Sequence, residues 1–196
     1  MTAASNKIAR RAFIAELLRH RGRALIATGL GSATWDCFAA GDHPDYLYSW
    51  GGMGLAVPTA LGLALAQPGR RVLAITGDGE MMMGLGSLAV VGDQAPSNFA
   101  VLVLDNEAFG ETGRQRGLTA GRVDIAGLAK AVGFSDAMTV TDQGETAALG
   151  HFLFAQPGPV LAVAKIAITE DPWALPEKDG ATLAHRFRAA LGLEKA

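Results

Sequence analysis

Strand-length apolar runs alternate along this chain with stretches whose apolar residues recur every three or four positions. "RALIAT", "RRVLAIT", "NFAVLVLDN", "AMTVT" and "PVLAVAKIA" read as strands, with "DYLYS" a shorter candidate. The intervening segments predict helices: "SNKIARRAFIAELLRHRG", "GSATWDCFAA", "GLAVPTALGLALAQ", "GLGSLAVVGDQ", "DIAGLAKAVG" and "GETAALGHFLFAQ". Ser5 is placed to cap the first of them, where Ile8, Phe13, Leu17 and Leu18 fall at helical spacing, and Pro58 suits the first turn of the third. "ITEDPWALPEKDG" reads as irregular and "ATLAHRFRAALG" as a closing helix. The strands are apolar throughout rather than at alternate positions, so both faces of their sheet are expected to be covered. This predicts an α/β fold: a doubly wound, mostly parallel sheet with helices on both faces. One domain is expected over residues 1–196, with a core near 20–167 and a tail from 168 to 196.

Composition narrows the function classes. At 49% hydrophobic residues the chain is not expected to be disordered, and its longest apolar stretch, 55–66, contains Gly and Pro and is too short to cross a bilayer. The N-terminus has no apolar signal core, so a cytoplasmic protein is expected. A single cysteine, Cys37, excludes an internal disulfide and any site built on several thiolates; its place in an apolar helix suggests an inert, buried thiol. The net charge of −2 gives no general reason to expect nucleic acid. The basic residues Arg10, Arg11, Arg19, Arg21 and Arg23 read as a solvated face or as a surface for a partner chain.

Candidate chemistry lies where the apolar runs stop. "TGDGEMMMGLG" places Asp78 between Gly77 and Gly79 at the end of one strand, and Asp105-Asn106-Glu107-Ala108 ends another. One helix and one strand separate them, so the two strands should be parallel neighbours, or nearly so, with both ends at one edge. Asp78, Asn106 and the Ala108 carbonyl offer hard oxygen ligands suited to Mg²⁺, and amides near Gly79 and Glu80 can face phosphate. His43, in "GDHPDYL", is expected at the same glycine-rich edge.

"GDG", 25 residues and then "DN" resembles the metal-binding motif of the thiamine diphosphate-dependent 2-oxoacid decarboxylases, which normally ends in two asparagines; Asp105 departs from it. "YSWGGMG" resembles the segment that holds the cofactor's rings, which nominates Gly51, Gly52 and Met53, and "ATGLGSAT" resembles the diphosphate segment, which nominates Gly29, Gly31 and Ser32. Within the family, "GGMGLAVPTALGLALA", "FGETGRQ" and "VDIAGLAKAVGF" look most like sulfopyruvate decarboxylase β subunits and phosphonopyruvate decarboxylases. The resemblance implies thiamine diphosphate and Mg²⁺, with Asp78, Asn106 and Ala108 as ligands and Phe109 beside them. It also implies a partner α subunit carrying the pyrimidine-binding domain and the activating glutamate, most simply as α2β2. Arg114 and Arg116 become candidates for the substrate's anionic group, and Glu111 and Gln115 for proton transfer or orientation. Two alternatives stand beside this. "GLGSAT" follows a strand and opens a helix as in a nicotinamide-binding Rossmann enzyme, but a third glycine is missing. The chain could also be a non-catalytic regulatory subunit of the same fold.

Overall fold

The computed structural model describes residues 7–193. Its centre is a six-stranded sheet in the order β2-β1-β3-β4-β8-β7, and every pairing is parallel. The strands are β1 (Leu25–Thr28), β2 (Tyr46–Tyr48), β3 (Val72–Gly77), β4 (Phe99–Asp105), β7 (Asp136–Val140) and β8 (Val160–Lys165). Two short strands, β5 (Ala108–Phe109) and β6 (Gln115–Arg116), form a separate hairpin. The helices are α1 (Arg10–Leu18), α2 (Ser32–Ala39), α3 (Ala56–Ala66), α4 (Asp78–Met83), α5 (Gly86–Gln94), α6 (Ile125–Ala131), α7 (Thr146–Phe154) and α8 (Gly180–Ala190). None is long and apolar enough to cross a membrane.

The unbroken hydrophobicity of the strands divides between two cores. Ile26, Leu73, Ile75, Leu102 and Ala162 point to α1, α2 and α7, where Phe13, Leu17, Cys37 and Leu149 are buried. The alternating set Leu25, Ala74, Val101, Val103 and Leu161 points to α3, α5 and α6, with Val57, Leu88 and Ala129. Period-2 geometry sends successive side chains to opposite faces, so an all-apolar strand is what two covered faces require. Cys37 lies fully buried, and burial pushes its thiol pKa far up, as an inert core residue requires.

Four expectations meet a different outcome or fall outside the described residues. Ser5 lies outside the described residues, and α1 begins at Arg10 with Ala9 before it and no side-chain cap. Ile8 is not helical; it continues the sheet, bridging Ile166 just beyond β8. The basic face of α1 is not simply solvated: Arg10 is buried and Arg10 and Arg11 both bond Asp36 of α2, while Arg10 also reaches Asp171 of the tail. His43 precedes β2 and therefore stands at the amino edge of the sheet, opposite the edge expected for it. The tail packs on its own domain: Trp173 stands 5.3 Å from Trp35 between ring centres, and the Trp50 indole donates to the Glu177 carbonyl. Beyond it, Asp179 caps α8, which lies against β2 with Leu183 and Phe187 buried.

Candidate active site at the carboxyl edge of the sheet

All six strands run the same way, so the segments leaving their carboxyl ends share one edge. The segment after β1 feeds α2 on one face, and the segment after β3 feeds α4 and α5 on the other. β1 and β3 are adjacent, and the chain parts between them; crevices of this kind hold ligands in open α/β sheets.

Both flanking helices begin without a side-chain cap. Gly31, at φ +73°, leads into Ser32, and Gly77 leads into Asp78. Thr34 holds the first turn by donating to the Gly29 carbonyl at 2.7 Å, which leaves early amides of α2 free to meet an anion. Glycine here is a steric demand. A Cβ on Gly29 would lie 1.7 Å from Glu80 Oε2, and one on Gly79 would lie 2.5 Å from the Phe109 ring. A Cβ on Gly84 would lie 2.3 Å from the Gly54 carbonyl oxygen, so the Gly51–Gly54 segment rests backbone to backbone on the end of α4.

Glu80 ties these segments together. Its Oε2 accepts from Thr76 at 2.9 Å. Burial raises its pKa, partly offset by Thr76 and by the amides of Ala56, Leu30 and Gly54, while Oε1 lies buried without a hydrogen bond. Gly29→Ala is therefore expected to destabilise the fold by roughly 2–3 kcal/mol, because the carboxylate must leave these partners. In a Glu80→Ala background the same change should cost much less. Urea unfolding of the four proteins measures this coupling, and strictly additive losses would refute the contact.

Asp78 is 3% exposed. β3 pairs with β4 as far as Gly77 with Leu104, so Asp78 and Asp105 end adjacent strands. Thr119 stands between them, with its hydroxyl 3.1 Å from Asp78 Oδ2 and 2.8 Å from Asp105 Oδ1. One hydroxyl proton cannot serve both oxygens at once. Asp105 has a counter-charge, since Lys165 donates to its Oδ2 at 2.7 Å and to Glu107 at 3.0 Å, and Lys7 reaches Glu107 at 2.8 Å. Asp78 has no basic partner among the described residues, and burial followed by the charge of Asp105 pushes its pKa up to about 6. A buried carboxylate so placed fits a bound cation better than a bare turn. No group of three or more His, Cys, Asp or Glu capable of holding a metal occurs among the described residues. The available donors are one carboxylate, an amide and a main-chain carbonyl, which suits an ion that draws its remaining oxygens from phosphate and water.

The metal loop is bent around those donors. Asn106 Oδ1 accepts from the Ala108 amide at 2.9 Å, and its second lone pair remains available. Glu107 adopts φ +65°, and its carbonyl accepts from Gly117 at 2.7 Å, which closes the β5–β6 hairpin. Gly117 passes so close that a Cβ there would lie 2.9 Å from Asp78 Oδ2. The hairpin thus brings Ala108 and Phe109 beside Asp78 and Gly79.

The remaining nominated residues divide. Glu111 approaches the Gly31 turn, where a Cβ would lie 3.1 Å from its Oε1; burial raises its pKa and Arg10 partly offsets this. Gln115 is bonded within its own hairpin to Thr112, Arg114 pairs with exposed Glu170, and Arg116 donates to the Ala120 carbonyl. These three are not brought against Asp78. Gly51, Gly52 and Met53 lie in an open segment, and Met53, Leu55, Met83 and Leu118 are exposed around the crevice. Sequence reasoning missed Thr119, Lys165 and the side-chain role of Glu80. Lys165 left a trace, as a lysine closing an otherwise apolar run.

The family description "Thiamine pyrophosphate enzyme, C-terminal TPP binding domain" matches residues 30–164. The sulfopyruvate decarboxylase subunit beta of Methanothermobacter thermautotrophicus is 35% identical over 138 residues, which cover 70% of this chain and 71% of that protein. The phosphonopyruvate decarboxylase of Streptomyces viridochromogenes is 35% identical over 177 residues, 90% of this chain but 43% of that protein. The chain thus spans less than half the length of that relative. Among solved structures, a protein from Mycobacterium smegmatis described as a thiamin diphosphate-dependent enzyme superposes with a TM-score of 0.71 at 22% identity, over 83% of this chain and 32% of that one; this likeness concerns the fold.

Proposed function

We propose, from the premise that this chain belongs to the thiamine pyrophosphate enzymes and carries their C-terminal TPP-binding domain, that it is the diphosphate-holding β subunit of a cytoplasmic decarboxylase acting on a small anionic 2-oxo acid. The observation that carries the reading is Asp78: a buried carboxylate with no protein counter-charge among the described residues, at the crevice where two uncapped helices begin. Asp78, Asn106 and the Ala108 carbonyl would hold Mg²⁺. Amides at Gly31, Ser32, Gly79 and Glu80 would face the diphosphate; the Gly29 amide donates to the Ile75 carbonyl at 2.8 Å, so Gly29, like Gly77, would serve by leaving the approach bare. Gly51, Gly52 and Met53 would meet the ring end of the cofactor, and Phe109, over Gly79, would keep water from the metal side. Bound thiamine diphosphate supplies a carbon nucleophile and an electron sink for loss of CO₂.

This chain's own contribution to the reaction is binding, orientation and proton handling. Glu111, exposed beside Gly31 and with its pKa raised by partial desolvation, would hold or release a proton at that end of the crevice. Arg114, Gln115 and Arg116 would need to leave their hairpin partners to meet substrate, and their exposure permits this. A second chain is supported by two features. One relative of similar extent is named as a β subunit, and the exposed apolar side chains of Met53, Leu55, Met83 and Leu118 surround the crevice where a pyrimidine-binding α subunit would sit. The assembly is most simply α2β2.

Co-expression with the candidate α chain tests the reading, with sulfopyruvate, phosphonopyruvate and simple 2-oxo acids offered in the presence of thiamine diphosphate and Mg²⁺. CO₂ release is expected only from the assembled pair, and only with both cofactors. Robust decarboxylation by this polypeptide alone would overturn the two-chain assignment. Turnover indifferent to thiamine diphosphate would overturn the activity.

A further inference from the structure

The opposite edge of the sheet carries a second concentration of charge. A cavity of about 500 Å³ opens where the α1–β1 turn, the α3–β3 turn and α7 meet. Its wall includes His20, Arg21, Arg23, Arg70, Arg71 and His151, and no carboxylate lines it. Among the described residues, the acid that pairs with this wall is Asp45, whose Oδ2 takes Arg70 at 3.0 Å and Arg21 at 3.7 Å. One carboxylate therefore answers four guanidinium groups, in a chain whose net charge is −2.

Two of the guanidinium groups are fixed in advance. Arg70 Nε donates to the Arg23 carbonyl at 2.8 Å. Arg71 Nε donates to the Leu153 carbonyl at 2.7 Å and its Nη1 to the Ser97 carbonyl at 3.2 Å, yet its Nη2 is buried with no hydrogen-bond partner. Burial lowers the pKa of Arg71 to about 10, which still leaves it charged at neutral pH, and no acid pairs with it among the described residues. Arg23 is exposed at the cavity mouth, also with no acid partner among the described residues. A half-buried cation with an unspent donor, preorganised beside three other guanidinium groups and two imidazoles, matches an oxyanion that accepts several N–H bonds at once.

We propose that this cavity is a phosphate site, taking the phosphate group of a small metabolite or the free ion. It stands at the amino ends of β1 and β3, with the whole six-residue strand β3 between Arg71 and Asp78, a separation of roughly 23 Å along the strand. It is therefore independent of the crevice and of the activity assigned to it.

Titration of the full chain with inorganic phosphate, followed by amide NMR at constant ionic strength, tests the assignment. Saturable shifts are expected at Gly22, Arg23, Gly69 and Gly150. Arg23→Glu reverses a charge at an exposed position without disturbing the core, and it should weaken the apparent affinity by about tenfold or more. Arg71→Gln should do the same, and Arg23→Glu alone keeps the test decisive if Arg71→Gln fails to fold. A parallel titration with adenosine monophosphate separates the sources: tighter binding than inorganic phosphate identifies an ester, and equal or weaker binding identifies the free ion. Shifts confined to residues 29–32 and 77–80, shifts that chloride reproduces, or saturable shifts unchanged in Arg23→Glu would overturn the proposal.

Discussion

Asp78→Asn is expected to weaken Mg²⁺ binding to the assembled enzyme by more than 100-fold and to abolish measurable turnover, while making the metal-free chain more stable. The first effect follows from the donor set: removing an outer partner of a metal ligand commonly costs about 10–100-fold, and Asp78 would be the sole anionic protein ligand. The second follows from linkage. The folded-state pKa of Asp78 is raised to about 6 from an ordinary 3.8, so the folded state binds the extra proton between those values. Its stability then falls as pH rises through that window, and at neutral pH the full penalty applies, up to about 3 kcal/mol. The asparagine removes the penalty and flattens the slope. Urea midpoints in chelator from pH 4 to 7.5, beside Mg²⁺ titrations of the complex, read both effects. A variant that keeps wild-type Mg²⁺ dependence would remove Asp78 from the metal site.

Lys165→Met is expected to cost about 3 kcal/mol in stability, and Asp105→Asn should restore most of it. Lys165 answers a carboxylate that is almost wholly buried; without the ammonium, Asp105 would stand unpaired across Thr119 from Asp78. Breaking one side of a buried pair costs about 3–5 kcal/mol, and the partial exposure of Lys165 places this pair at the low end. The double variant replaces the charged pair by a neutral amide and returns the "DN" to the two asparagines usual in the related motif. Thermal unfolding of the wild type, both single variants and the double variant closes the cycle. If Asp105→Asn failed to rescue Lys165→Met, the lysine would have a role other than neutralising Asp105.

The sheet was readable because its strands are short, apolar throughout and separated by helices, a pattern few folds other than a two-faced parallel sheet satisfy. The failures are local and physical. Ile8 fits a helical period as well as a strand, and only its register against Ile166 decides between them. The helix expected from Gly84 onward is preceded by α4, because Gly84 passes the Gly54 backbone and the chain cannot run through as one helix. β5 and β6 have two residues each and no period to detect. His43 was misplaced because β2 is only three residues long, so the loop before it is easily taken for the loop after it. In the crevice, Asp78 and Asn106 were legible because each interrupts an apolar run. Thr119 was not, since its meeting with Asp78 spans a hairpin that only tertiary structure closes. Arg10 and Arg11 looked like surface charge because sequence cannot show Asp36 buried beneath them.

The packing of α8 along β2 gives the C-terminal segment a protective duty. β2 is the outermost strand on its side, and each outermost strand carries unused peptide donors and acceptors that invite pairing with another molecule. A polypeptide trimmed to end at 167 would shed both the helix and the Trp173 contact and leave that flank bare. Helix α8 is thus a guard against self-association, and a minimal fragment for crystallisation or fusion should retain it.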